Sequence, residues 1–275
     1  MSKIKTAVIG FPVKHSKSPL IHQYWMQKLC IDGSYDAIDI APENLEKEIK
    51  TLITQGYRGF NITVPHKVAM MDLCDEVDAQ ARTIGAINTV SIKNGKLCGT
   101  NTDAFGFIEN LYKNAPNFDF AAGPALVLGA GGAARAILYG LIEAGTPEIH
   151  LINRTRSKAE SLKIAAPSKI KIIDWNERDT PKTLNDINIL VNTTSLGMAG
   201  NLPLEMDIED LPKSALVTDI VYAPLITRLL QQARMRENPY VTGIGMLLHQ
   251  ARPAFKLWHG VMPDVTPELE ELVLK

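Results

Sequence analysis

The sequence predicts an α/β protein made of two domains with a cleft between them. Three observations lead there. The chain has 275 residues, whereas a single domain typically takes roughly 100–200. Strand-like and helix-like segments alternate along it, the pattern of mostly parallel sheets covered by helices. Near the middle an apolar run, Ala125–Leu128, passes through a glycine turn into a helical pattern.

The elements follow in order. A first strand is expected at Thr6–Gly10. A helix begins at Ser18, with Ser18 as N-cap and Pro19 in the first helical position, where its missing N–H would be unpaired anyway. Tyr35–Ile40 is a second strand. Leu45, Ile49, Leu52 and Ile53 recur at helical spacing, and Gly56 closes that helix. Gly59–Val64 is a third strand. Asn88–Lys93 and Lys96–Gly99 flank Asn94-Gly95, the dipeptide best suited to a two-residue hairpin turn. After Asp103 a second unit opens with a helix near Ala104–Asn114. A loop with Pro116 and Gly123 leads to the strand Ala125–Leu128 and a helix from about Ala133. Strands follow at His150–Ile152, Ile170–Ile173, Ile189–Asn192 and Leu216–Asp219. From Met246 onward the chain is mostly helical and fits as a cap on either unit.

Composition narrows the function classes. Apolar residues at 45% and charged residues at 21% are a globular balance and argue against disorder. Lys plus Arg number 29 and Asp plus Glu 30, a formal net charge of −1. That balance argues against a binder of nucleic acid or anionic membrane working by bulk charge. Cys30, Cys74 and Cys98 lack metal-ligand spacing and suit a reducing compartment as buried or half-buried thiols. Met1 to Lys5 runs straight into the first strand, without the apolar core and small-residue site of a secretory signal. Ala121–Gly145 is broken by glycines, Pro124, Arg135 and Glu143 into pieces shorter than the roughly 20 residues of a membrane span. A soluble, cytoplasmic protein is expected.

The glycine turn carries chemistry. Gly129-Ala130-Gly131-Gly132-Ala133-Ala134 reads as G-x-G-x-x-A between a strand and a helix. In a Rossmann-like domain the first glycine makes the tight turn and the second lets the backbone approach a pyrophosphate. The third small residue lets helix and strand pack closely, and the helix N-terminus offers N–H groups to the phosphates. An NAD site typically ends the next strand with Asp or Glu, which accepts from a ribose hydroxyl. Here Asn153 stands there, followed by Arg154, Thr155, Arg156 and Lys158. These would attract and hydrogen-bond a 2′-phosphate, so the expected cofactor is NADP. The plainer alternative is a solvated basic turn opening the next helix.

The first unit places polar residues where strands end: His15-Ser16-Lys17-Ser18-Pro19, Asn61-Ile62-Thr63-Val64-Pro65-His66-Lys67, Asn88-Thr89 and Asn101-Thr102-Asp103. Ligands in open α/β sheets bind beyond the carboxyl ends of strands. Hydroxyls, amides, a lysine and an aspartate would suit a small polyhydroxylated acid. Each also has a structural role open to it. Ser18 and Asp103 suit helix caps, Asn61 and Asn88 suit buried backbone partners, and Lys67 suits a surface position.

Taken together, these strings resemble the shikimate dehydrogenase family. Besides those quoted, the matching strings are Gly85-Ala86-Ile87-Asn88-Thr89, Asp219-Ile220-Val221-Tyr222, Gly243 to Gln250 and Trp258-His259-Gly260, in the family's order across nearly the whole chain. The resemblance implies NADPH-dependent, reversible reduction of 3-dehydroshikimate to shikimate, in the biosynthesis of chorismate and aromatic amino acids. It implies a discontinuous substrate domain, 1–103 plus 239–275, with an NADP-binding domain, 104–238, inserted in it. Lys67 and Asp103 are the implied catalytic pair. Ser16 and Ser18 are implied at the substrate carboxylate side, and Thr63, Asn88, Asp103, Tyr222 and Gln250 at its hydroxyls or carboxylate, with Lys67 also among the substrate-binding residues. Gly129, Ala130, Gly131, Gly132 and Ala133, with Asn153, Arg154, Thr155 and Lys158, would hold NADP. Ile220, where the family often has Met, and Gly243 would lie near the nicotinamide. No metal is implied, and His66 is not implied as catalytic. Shikimate or 3-dehydroshikimate is the implied small-molecule partner, with no nucleic-acid or membrane partner, and a homodimer is the assembly considered.

A ketone that gains a hydride needs a proton donor for its oxygen. Lys67 can donate in reduction and accept in oxidation, while Asp103 orients the ammonium and holds a substrate hydroxyl. The cleft would close to bring the reacting carbons together and exclude water. Two alternatives stand beside this. A quinate/shikimate dehydrogenase would accept quinate and use NAD as well, which an acid in place of Asn153 would favour. A non-catalytic metabolite-sensing module would be favoured by loss of Lys67 or Asp103, and both are present.

Overall fold

The computed structural model describes residues 3–275, and the chain divides into two compact units. One comprises the residues up to Asp103 together with Leu247–Lys275. The other is Ala104–Met246.

The first unit holds a mixed six-stranded sheet. Its strands are β1 (Ile4–Gly10), β2 (Gly33–Asp39), β3 (Tyr57–Ile62), β4 (Glu76–Val77), β5 (Thr89–Lys93) and β6 (Lys96–Thr100), in the order β2-β1-β3-β5-β6-β4. β1 runs parallel to both neighbours, and β5 is antiparallel to β3 and β6. Helices α1 (Ser18–Lys28), α2 (Leu45–Thr54), α3 (Met70–Leu73) and α4 (Ala79–Ile84) intervene. α2 buries Leu45, Ile49 and Leu52 and exposes Glu46, Lys47 and Lys50, so its helical spacing is the imprint of one covered face. Gly56 follows it at φ +85° and donates to Ile53 O at 3.0 Å. The hairpin turn has Asn94 at φ +52° and Gly95 at φ +79°, the two positive angles that match the strand twist.

Three details differ from the sequence expectation. Ser18 is not the cap. Lys17 occupies that position, Ser18 lies buried in the first turn, and Ser16 Oγ accepts from Ser18 N–H at 3.2 Å. The third strand stops at Ile62, although Thr63 N–H still reaches Ile9 O at 2.9 Å. Cys30, just past α1 at φ +53°, is exposed rather than covered.

The second unit is an all-parallel sheet with helices between most of its strands. α5 (Asp103–Asn114) leads in. Then come β7 (Ala125–Leu128), α6 (Gly132–Glu143), β8 (Ile149–Ile152), α7 (Arg156–Lys163), β9 (Ile170–Ile173), α8 (Pro181–Leu184) and β10 (Ile189–Asn192). β11 (Leu216–Asp219), α9 (Arg228–Met235) and β12 (Tyr240–Val241) complete it. The order β12-β11-β10-β7-β8-β9 starts the chain at mid-sheet, runs to one edge, then returns past β7 to the other. That is the doubly wound Rossmann order, with its switch point between β7 and β10. Ala125 and Val127 face one core, with Leu151 and Val191. Leu126 and Leu128 face the other, with Ile152 and Leu190. Cover on both faces is why these strands read as unbroken apolar runs.

The chain leaves this unit at Met246, not at 238 as the sequence suggested. Tyr240 and Val241 pair with Val217 and Thr218 and so add a sixth strand to the second sheet. α10 (Ile244–His259) and α11 (Pro267–Leu274) end the chain. From Leu247 onward the residues pack with the first unit. Trp258 Nε1 donates to Val90 O at 3.0 Å, Trp25 Nε1 donates to Asp264 O at 2.9 Å, and Tyr24 and Thr266 hydroxyls meet at 3.0 Å. No helix among the described residues is long and apolar enough to cross a membrane.

Gly59 on β3 makes the Trp258 contact possible. A Cβ there would stand 2.5 Å from Val90 O and 2.6 Å from Trp258 Cδ1. Gly59→Ala is therefore expected to destabilise the protein by about 1–3 kcal/mol through overpacking, read as a lower urea midpoint. An unchanged midpoint would mean that the indole does not seat on β3.

Candidate active site

The first unit gathers a polar cluster at the ends of β3, β5 and β6. Lys67 follows β3 through the turn 63–66, and Asp103 opens α5 directly after β6. Lys67 Nζ pairs with Asp103 Oδ2, with the two side chains 13% and 6% exposed. The other carboxylate oxygen accepts from Asn88 Nδ2 at 2.8 Å. Asn88 Nδ2 also lies 2.9 Å from Thr102 Oγ1 and 3.2 Å from Gln250 Oε1. Its Oδ1 accepts from Thr102 N at 2.8 Å and from Thr89 Oγ1 at 3.0 Å. Four of the expected substrate residues, Lys67, Asn88, Asp103 and Gln250, thus share one network.

Backbone contacts fix the loops that bear them. Ile87 N–H donates to Lys67 O at 2.8 Å, and Asn101 Nδ2 donates to Ala86 O at 2.9 Å. His66, buried beside Lys67, bonds Ile40 O at 2.7 Å; a carbonyl only accepts, so its Nε2 carries the proton. Ser16 and Ser18 stand together at the start of α1. Thr63 lies at the end of β3, its methyl against Gly10. Beneath this cluster lies a buried layer in which Asn61 is the backbone partner the sequence suggested and Tyr35 is a residue it missed. Tyr35 OH donates to Asn61 Oδ1 at 2.6 Å, and Asn61 Nδ2 donates to Asn88 O and Thr89 Oγ1 at 3.2 and 3.0 Å. Burial pushes the Tyr35 phenol well above its usual range, opposed by the Ser18 side chain beside it.

The second unit holds the other expected residues. Gly129 sits at φ +110°, and a Cβ on it would meet Thr193 Oγ1 at 2.5 Å. Gly131 caps α6, and a Cβ there would meet nothing within 4 Å, so this side of the turn is open. Ala134 is fully buried against the sheet. Gly129 through Ala133 thus present backbone at a helix N-terminus. Past β8, Asn153 Nδ2 donates to Thr155 O at 2.8 Å, and no acid occupies that strand end. Arg154, Thr155 and Lys158 are exposed, and Thr155 stands at the α7 N-cap without a side-chain capping bond. Arg156 differs from its neighbours. It pairs with Asp174, and with Glu160 at 2.9 Å, so it is held away from the others.

Ile220 and Gly243 come together after β11: a Cβ on Gly243 would stand 2.5 Å from Ile220 O and 2.7 Å from Asp219 O. Tyr222 lies half-buried two residues on, and burial raises its phenol. Asp219 was missed. It is buried and accepts from Asn192 Nδ2 at 3.0 and 3.1 Å, Val221 N at 3.0 Å and Thr227 Oγ1 at 2.8 Å. Burial raises its carboxyl, and these donors oppose the rise. The signal was available: polar Asn192 and Asp219 each end a buried apolar strand and are paired in register. Among the described residues no group of acidic, histidine and cysteine side chains could hold a metal ion.

Residues 8–90 match the family described as the shikimate dehydrogenase substrate binding domain, and residues 112–221 match shikimate / quinate 5-dehydrogenase. Residues 243–268 match the shikimate 5′-dehydrogenase C-terminal domain. The shikimate dehydrogenase (NADP(+)) of Paramagnetospirillum magneticum is 48% identical over 97% of this chain and 96% of its own length. The structure of shikimate 5-dehydrogenase from Thermus thermophilus, in complex with NADP(H) and shikimate, is 37% identical with a TM-score of 0.86 and covers 98% of each chain. Quinate dehydrogenase from Corynebacterium glutamicum, in complex with NAD, is 30% identical with a TM-score of 0.90, over 99% of each chain. With relatives this similar along its whole length, the chain belongs to the shikimate dehydrogenase family.

Proposed function

We propose that this protein catalyses the reversible NADPH-dependent reduction of 3-dehydroshikimate to shikimate, a step toward chorismate and the aromatic amino acids, in the cytoplasm. The observation that carries it is the buried Lys67–Asp103 pair, braced by Asn88 and Gln250, in a chain of this family. Three cysteines without disulfides suit a reducing compartment.

The residues of the second unit fit NADP. The open side of Gly131 and the N-terminus of α6 suit a pyrophosphate. Arg154, Thr155 and Lys158 offer donors to a 2′-phosphate, and Asn153 presents no carboxylate to repel it. Ile220 supplies an apolar surface and Gly243 a close backbone approach for the nicotinamide end. When bound, NADPH supplies the hydride that adds to the ketone carbon. The chain's own groups do the rest. Lys67 Nζ gives a proton to the developing alkoxide in reduction and takes one from the alcohol in oxidation. Asp103 holds the ammonium with one oxygen and a substrate hydroxyl beside it. Asn88 and Gln250 orient neighbouring hydroxyls with amide groups. Ser16, Ser18 and Thr63 supply short hydroxyls for the carboxylate side. Tyr222, a neutral phenol raised by burial, is a further substrate ligand in this scheme.

Steady-state assays with shikimate or quinate, each with NADP+ or NAD+, test the function. Shikimate with NADP+ is expected to give the highest kcat/KM, by at least about tenfold, the scale of one lost charge-assisted contact. Preference for quinate with NAD+ would assign the chain to the activity named for the Corynebacterium relative, and no turnover would reject both. Lys67→Ala and Asp103→Ala are each expected to lower kcat by about 10²–10⁴. Kd for NADP+, read by fluorescence titration, should hold steady. Near-normal turnover in both variants would remove the catalytic pair.

The loop after β8 yields a contrast between two arginines. Arg154→Ala is expected to raise KM for NADP+ about tenfold and leave KM for shikimate unchanged. Arg156→Ala should change KM for NADP+ by less than about twofold, because its charge is committed to Glu160 and Asp174. Equal effects would show that the whole basic turn, and not Arg154, meets the cofactor.

A further inference from the structure

Tyr35 touches neither Lys67 nor Asp103, yet it ends the hydrogen-bond chain that reaches them. Its ring is buried on β2 and stacked on His22, with centroids 4.0 Å apart and 8° between planes. Its hydroxyl is the donor to Asn61 Oδ1 among the described residues. An amide has one accepting and one donating end. With Oδ1 turned to the phenol, Asn61 Nδ2 faces Asn88 O and Thr89 Oγ1. The Thr89 hydroxyl, having accepted from Asn61, directs its own proton to Asn88 Oδ1 at 3.0 Å. Asn88 is then left with Nδ2 toward Asp103 Oδ1. The polarity therefore runs one way, from phenol to carboxylate.

Without the phenol O–H, Asn61 Oδ1 would be a buried acceptor with no donor, which is costly. The amide could find relief only by turning, and turning would break its bonds to Asn88 and Thr89. We propose that Tyr35 is a positioning residue for the reaction: its O–H satisfies the accepting end of Asn61 and, together with Asn88 O and Thr102 N–H, holds the Asn61–Thr89–Asn88 relay and so the orientation of the Asp103 carboxylate toward Lys67. This rests on the roles proposed above for Lys67 and Asp103.

Tyr35→Phe keeps the ring and its stack on His22 and removes only the donor. In this variant kcat for shikimate oxidation is expected to fall about five- to tenfold, the scale of one lost hydrogen bond. KM for NADP+ should stay within about twofold. In an Asn88→Ala background the same change should cost less than about twofold, because the relay no longer reaches Asp103. No loss of kcat, a loss confined to KM, or an equal loss in both backgrounds would overturn the proposal.

A second readout does not need turnover. The Asn88 side-chain amide signals in a nitrogen–proton correlation spectrum are identified by their absence in Asn88→Ala. They are expected to shift in Tyr35→Phe while the backbone signals of Ala104–Met246 superimpose. Unmoved Asn88 signals would overturn the relay even in an active enzyme. A wild-type protein inactive on shikimate would instead overturn the functional proposal, with the Asn88 signals still deciding the relay.

Discussion

Lys67 and Asp103 meet where little water reaches, and a contact that dry has to be satisfied on every side. Withdrawing an ammonium and a carboxylate from water costs several kcal/mol per ion unless good geometry and further hydrogen bonds compensate. Here Asp103 divides its oxygens, one to Lys67 and one to Asn88. Asn88 can serve only because its own carbonyl oxygen is held by Thr102 and Thr89. The loop positions of 86–89 and 101–103 follow from this requirement, since each residue there either satisfies the pair or satisfies a group that does. Replacing Asn88 by an apolar residue would leave the second Asp103 oxygen without its amide donor.

The second unit solves a related problem differently. Asp219 is as buried as Asp103, but its partners are an amide, a hydroxyl and a backbone N–H. Neutral donors shape without supplying mobile charge. Asp219 ties the end of β10, through Asn192, to the start of α9, through Thr227, and so fixes the loop that carries Ile220 and Tyr222. Gly243 packs its backbone on the carbonyls of Asp219 and Ile220, which leaves no room for a side chain. In the proposed mechanism one carboxylate works beside a proton, while the other holds a shape.

How much of this was legible depended on whether the signal was local. β7, β9, β10 and β11 are the expected strands to the residue; cover on both faces makes β7 and most of β10 apolar runs, while β9 is an isoleucine-rich edge strand with Lys171 exposed. The Asn94-Gly95 hairpin and the glycine turn were legible because their backbone angles need those residues. β4 and β12 were not, since two-residue strands carry no periodicity. The helix cap was misplaced by one residue because Ser18 suits that role by type, while the fold puts Lys17 at the cap and Ser16 Oγ as the acceptor of Ser18 N–H. At the site, Lys67, Asn88, Asp103 and Gln250 came from a whole-chain resemblance, while their junction comes from topology. Tyr35 gave no hint at all: an aromatic residue in a strand reads as core, and its hydroxyl acquires meaning only when β3 is laid two strands away from it, across β1. Arg156 was the opposite case, a cation counted with its neighbours until Asp174 at the end of β9 engaged it.

The seating of Trp258 over Gly59 has a consequence for how the protein is made. The strands β1 to β6 leave the ribosome first, yet the helix that carries Trp258 and Gln250 emerges only after the whole of Ala104–Met246 has been synthesised. At roughly 5–20 residues per second this interval is on the order of ten to thirty seconds. Throughout it, β3 and β5 lack the indole that bonds Val90 O, and Asn88 lacks its amide neighbour at position 250. The nascent first unit must therefore persist with an uncovered sheet face while the second folds behind it. That interval is when the chain is most open to chaperones and to wrong partners.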